Sequence, residues 1–152
     1  MTQRLNLFAV DQKALAPMMA AEAYLAQCGL EHSLIELVKT RASQINGCAN
    51  CLHMHTADAR KAGETETRLY LLSAWHESNL YTPRERAALQ WTESLTLVAQ
   101  TRAPDADYEA VRAEFSEKEL VDLTLLIGMI NAWNRLAIGF RVQHPNDVAK
   151  AA

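Results

Sequence analysis

No segment of this chain joins β-branched enrichment to strict apolar–polar alternation over the length of a strand, while helix formers recur from end to end. That leaves an all-α fold as the way to bury its apolar residues. Helix starts are written explicitly. Thr82-Pro83-Arg84-Glu85 combines a capping box with proline at the first helical position, and Ser116-Glu117-Lys118-Glu119 is a second capping box. The first predicts a helix to about Gln100; the second launches the longest helix, ending before Pro145. Upstream, helices are expected over Gln12 to Gln27, with Pro17 splitting or restarting it and Gly29 closing it, and over Ser33 to Ile45, stopped by Asn46-Gly47. Others run from Cys48 to Gly63 and from Thr65 to Glu77, and a short one follows Asp105.

With 152 residues, nearly half of them apolar, and no linker, repeat or low-complexity tract, residues 1–152 read as one domain. A net charge of −3 without a long basic run argues against nucleic acid or an anionic membrane as partner. Asp11 and Lys13 interrupt the apolar run that a secretion signal needs, and Asn131, Asn134 and Arg135 interrupt the apolar segment from Leu120 to Phe140. A cytoplasmic location with no membrane span is expected. In such a compartment Cys-x-x-Cys is catalytic or metal-binding rather than a structural staple.

The chemistry gathers at Cys48-Ala49-Asn50-Cys51, with His55 beyond it and Glu36 twelve residues before Cys48. On a helix at about 100° per residue, Cys48, Cys51 and His55 fall within about 60° of one another. Cys48 lies at the helix N-terminus, where free N–H groups and the macrodipole favour a thiolate and lower a cysteine pKa from about 8.5 to neutral or below. Cys51 and His55, at i and i+4, can touch. If the two helices fold back at Asn46-Gly47, Glu36 returns to within about a turn of the level of His55.

Glu36, then Cys48-x-x-Cys51-x-x-x-His55, resembles the core motif of AhpD-like alkylhydroperoxidases in the carboxymuconolactone decarboxylase superfamily. Ala74-Trp75, the run from Pro83 to Leu89 and the run from Asn131 to Ala137 are similar to that family's later helices, so the resemblance covers about residues 15–145. It implies a multihelical domain of about six to eight helices, with Cys-x-x-Cys opening a central helix, assembled as a homotrimer or homohexamer. It further implies a thiol-dependent hydroperoxide reductase, or a relay of electrons to a peroxiredoxin. Cys51 would be the peroxidatic sulfur, Cys48 the resolving one, His55 the proton acceptor and Glu36 the end of the relay. No bound cofactor is implied; an external dithiol, typically a lipoyl group, would supply electrons. One departure stands out: some relatives carry histidine where this chain has Asn50, which hydrogen-bonds but does not titrate.

Rival readings remain at this point. Zinc could draw on Cys48, Cys51, His53 and His55, although a continuous helix turns His53 away; a redox sensor needs only the reversible couple; a lactone decarboxylase uses the fold without paired thiols. Elsewhere, Cys28 reads as a small buried apolar residue, His32, His76 and His144 as surface or capping groups, and His53 as a neighbour of the site. Trp75, Trp91 and Trp133 suit a core or subunit interface. Asn131, Asn134 and Arg135 need partners if buried, knitting helices or subunits together.

Overall fold

Both capping boxes close. Thr82 accepts from the Glu85 N–H at 3.2 Å while the Glu85 carboxylate accepts from the Thr82 N–H at 2.8 Å, and Ser116 and Glu119 repeat the exchange at 3.3 and 2.8 Å. The computed structural model describes residues 2–144. Among them it holds α1 (Leu7–Val10), α2 (Gln12–Leu25), α3 (His32–Asn46), α4 (Ala49–Lys61), α5 (Glu66–Leu71), a 3-10 turn (Leu72–Glu77), α6 (Pro83–Thr96), α7 (Val98–Thr101), α8 (Asp105–Glu114) and α9 (Glu117–Phe140), and no strand.

The helices outnumber the six to eight expected because two long ones break and one short one is added. Expected helix 65–77 changes to 3-10 form at Leu72, with a kink at Ala74 (φ −118°, ψ 26°), and expected helix 82–100 breaks at Leu97 (φ −102°, ψ 28°). The addition, α1, is capped by Asn6, whose side chain accepts from the Ala9 N–H at 3.2 Å. Pro17, by contrast, splits nothing: α2 runs through it. Proline removes the N–H that would reach the Lys13 carbonyl, and exposed Lys13 leaves that carbonyl to water. Arg141, in the left-handed region, ends α9, and Pro145 lies outside the described residues.

The bundle is organised around α3, which packs against α4, α6 and α9. Its residues Leu34, Ile35, Leu37, Val38 and Ala42 are buried on more than one face, as expected of a helix enclosed by neighbours. Leu34, Ile35 and Val38 join Ala88, Trp91, Leu123, Leu126 and Ile127 in the main core. Leu37 sits in a second cluster with Leu72, Trp75, Tyr81 and Leu89. A polar tie runs beside it: Trp75 Nε1 and Arg41 Nε both donate to Glu93 Oε1, at 2.7 and 2.8 Å. Burial pushes the Glu93 carboxyl up, but those bonds outweigh it and hold it below the usual carboxylate range.

By length and composition α9 could cross a membrane. It nonetheless buries Asp122, Asn131 and Asn134, and each is matched inside the chain: Asp122 accepts from Tyr24 Oη at 2.8 Å, Asn131 donates to Thr96 Oγ1 at 3.0 Å, and Asn134 donates to Ser43 Oγ at 3.1 Å. The polar groups that α9 buries are thus satisfied within the chain. Arg135 donates to the Asn131 carbonyl at 2.7 Å, within its own helix.

Candidate redox site

The corner between α3 and α4 sets the site. Gly47 closes α3 in the left-handed conformation (φ 72°, ψ 35°), which glycine adopts without steric cost. The next residue turns back on the helix it follows, the Cys48 N–H donating to the Ser43 carbonyl at 3.0 Å. Cys48 is then the N-cap of α4: its Sγ accepts from the Cys51 N–H at 3.4 Å. The corner is also bound from the side. Asn46 Nδ2 donates to Asn131 Oδ1 and to Asn134 Oδ1, each at 2.9 Å, tying the end of α3 to α9. Asn131 and Asn134 therefore knit helices of one subunit together.

Cys48 and Cys51 are joined as a disulfide, with Cα atoms 5.4 Å apart. Both are almost fully enclosed, at 1% and 2% exposure, and they cluster with Ala137 of α9 while Val142 packs against them. One helical turn beyond Cys51, His55 Nδ1 lies 2.9 Å from Glu36 Oε2, and both residues are 5% exposed. The hairpin thus brings together all four residues singled out by the motif. With Nδ1 directed at the carboxylate, Nε2 is the ring nitrogen left for proton transfer.

Cys51, His55 and Glu36 line one cavity of about 410 Å³; Cys48 does not. Its walls are mostly apolar: Leu7 and Phe8 of α1, Met19 of α2, Ile130, Trp133, Leu136 and Ala137 of α9. Asn50 reaches it as well. At the polar edge Lys39 Nζ pairs with Glu22 Oε2 at 2.8 Å, and Trp133 Nε1 donates to the other Glu22 oxygen at 3.1 Å. Phe8 stacks on Trp133 with ring centroids 6.4 Å apart, and the segment before it is held down by the Arg4 N–H on the Phe140 carbonyl at 2.9 Å. His53 leaves the site, stacking on His144 at 5.3 Å, so four thiol and imidazole groups do not converge here as a zinc site would need.

The model of the carboxymuconolactone decarboxylase family matches residues 12–94. The chain belongs to this family. Among family relatives, the uncharacterized protein YdfG of Bacillus subtilis is 46% identical over 138 residues, covering 91% of this chain and 94% of that protein. A crystal structure of an Agrobacterium tumefaciens protein of unknown function, proposed to be the antioxidant defence protein AhpD, superposes with a TM-score of 0.92 at 47% identity. The match covers 95% of this chain and 99% of that one. An uncharacterized peroxidase-related protein from Ralstonia eutropha JMP134, described as an alkylhydroperoxidase AhpD core, is 19% identical with a TM-score of 0.79, over 92% of this chain and 75% of that one. At that identity the likeness is one of fold. The AhpD-like branch of the carboxymuconolactone decarboxylase family is therefore where this chain sits.

Within this AhpD-like framework some site residues escaped sequence reasoning. Trp133, expected in a core or interface, is half-buried and walls the cavity; Glu22, Lys39 and Phe8 carried no motif at all. Cys28 is half-buried at the edge of the main core rather than enclosed by it. His76 is not a lone surface group: it stacks on Trp75 at 3.6 Å and its Nε2 lies 3.3 Å from Glu93.

Proposed function

We propose that this protein is a thiol-dependent hydroperoxide reductase whose reacting sulfur is Cys51. The observation carrying this reading is that Cys51, His55 and Glu36 share the wall of one largely apolar cavity, while Cys48, bonded to Cys51, does not line it. In the reduced protein His55 takes the Cys51 proton, and Glu36 steadies the resulting imidazolium. The thiolate attacks the distal peroxide oxygen. The O–O bond breaks, an S–O bond forms, and the departing alkoxide takes the proton from His55, giving an alcohol and Cys51 sulfenic acid. The Cys48 thiol then displaces water from that sulfenic acid and closes the disulfide. A dithiol such as a lipoyl group reopens it through a mixed disulfide and leaves oxidised itself; in the relay alternative the reduced pair passes its electrons on to a peroxiredoxin. No step needs a bound cofactor or metal. Assembly into a homotrimer or homohexamer is part of the proposal; exposed Val98, Val121, Leu125 and Ile138 are apolar positions where subunits would meet.

The test is stopped-flow reduction of cumene hydroperoxide by metal-free, pre-reduced protein with dihydrolipoamide present, beside Cys51→Ser and His55→Ala. Multiple turnovers that vanish in Cys51→Ser and slow sharply in His55→Ala support the reading. A single oxidation to the disulfide without turnover moves it to a relay or sensor. Inert thiols would remove redox chemistry and return zinc binding and decarboxylation to consideration.

A further inference from the structure

Thr40 is fully buried on α3, and among the described residues its hydroxyl has no hydrogen-bond partner. A threonine inside a helix has an obvious acceptor in the carbonyl four residues back, and this protein uses it elsewhere: Thr56 donates to the Leu52 carbonyl and Thr92 to the Ala88 carbonyl, both at 2.7 Å. Thr40 does not take the equivalent Glu36 carbonyl. Leaving a buried hydroxyl unpaired is destabilising, so its position calls for a reason.

Register supplies one. The α3–α4 hairpin is pinned at two levels, Glu36 against His55 and the Ser43 carbonyl against the Cys48 N–H. Counting four residues forward from Glu36 reaches Thr40; counting four back from His55 reaches Cys51. Three more in each direction arrive at Ser43 and Cys48, the second pinned level. Glu36 and Thr40 lie on one stripe of α3, and His55 and Cys51 on one stripe of α4. Thr40 is therefore level with Cys51, one turn from the Glu36–His55 pair. Cys51 lines the cavity and Thr40 does not, so a hydroxyl at this level would meet the sulfur from the side away from the cavity.

We infer that Thr40 is a positioning residue for Cys51: in the reduced protein its hydroxyl donates a hydrogen bond to the Cys51 thiolate from behind, and closure of the disulfide strands it. A disulfide sulfur is a weak acceptor and a thiolate a strong one, so the hydroxyl finds its partner only when the bond opens. The contact holds Cys51 ionised with its front lobe toward the cavity, and it favours the dithiol over the disulfide. The inference rests on Cys51 being the attacking sulfur, yet it is read by titration and potential rather than by turnover.

Thr40→Val keeps the shape and removes the hydroxyl; Thr40→Ser keeps the hydroxyl. In a Cys48→Ser background, the ultraviolet absorbance of the Cys51 thiolate is titrated. Thr40→Val is expected to move the midpoint up by about one pH unit, a roughly tenfold loss of thiolate below it, and Thr40→Ser to restore it. With both cysteines present, Thr40→Val makes the disulfide about tenfold harder to reduce in a dithiothreitol redox buffer, a shift of about 30 mV. The oxidised Thr40→Val protein should melt no lower than wild type, because it loses an unpaired group; if it fails to fold, Thr40→Ala carries the same comparison against Thr40→Ser. An unchanged midpoint and potential in Thr40→Val would overturn the inference, as would Thr40→Ser behaving like Thr40→Val. Peroxide consumption is followed separately, so shifted thiolate behaviour without turnover would count against the peroxidase reading alone.

Discussion

Asn134 is fully buried and joins the two helices that hold the corner of the site, so replacing it with alanine should have a calculable cost. It accepts from Asn46 Nδ2 at 2.9 Å and donates to Ser43 Oγ at 3.1 Å. Asn46 keeps its bond to Asn131, also at 2.9 Å, and loses only part of its pairing. Ser43 is fully buried and loses the donor to its hydroxyl oxygen. Two bonds at about 1 kcal/mol each, with a further penalty of up to about 2 kcal/mol for the stranded serine and the void, give about 2–4 kcal/mol. For a chain of this size that corresponds to a fall in Tm of about 5–15 °C. Urea unfolding and calorimetry on the oxidised protein read it directly. A double-mutant cycle with Ser43→Ala isolates the Asn134–Ser43 bond, with an expected coupling of about 1 kcal/mol. A loss below about 0.5 kcal/mol, or simple additivity in the cycle, would refute the role given to this network. The same variant should loosen the corner and speed reduction of the Cys48–Cys51 disulfide by dithiothreitol.

Acid stability offers a second check. Bonds from the Ser116 backbone and hydroxyl, with Arg84 beyond them, pull the Glu119 carboxyl down from 4.5 to about 2. A folded-state pKa below the unfolded one contributes stability that is present above pH 4.5 and is lost as pH falls toward about 2. Glu119→Gln keeps the capping geometry without the titration, so its stability should fall less steeply across that window, and parallel curves would sink the assignment. At the site itself, Asn50→His places a titrating group on the cavity wall and should raise cumene hydroperoxide turnover several-fold; unchanged turnover would mean that Asn50 is not what limits proton delivery.

What was legible in advance was whatever is encoded locally. Capping boxes at Thr82 and Ser116 and the stop at Gly47 set helix ends by chemistry within four residues, and those ends were found. The four motif residues were legible because i, i+4 spacing and a hairpin fix their neighbourhood. Breaks at Ala74 and Leu97 were not, since nothing in the local composition opposes a continuous helix there. Nor was the cavity wall: Trp133 reaches Glu22 across 111 residues, and that meeting depends on how α2 docks on α9. Thr40 was silent for a different reason. An unpaired hydroxyl is visible only once every neighbour is placed.

Enclosure of the two sulfurs has a consequence for traffic. A disulfide at 1–2% exposure, with Ala137 and Val142 against it, is insulated from the surrounding thiol pool. Exchange demands in-line approach of a sulfur, and a protein face without a protruding segment to enter the cavity cannot make it. A slender arm can. The site then works like a keyed socket, charged or discharged according to the shape of the donor rather than the average potential outside. A sensor, whose task is to sample that average, would want the opposite arrangement.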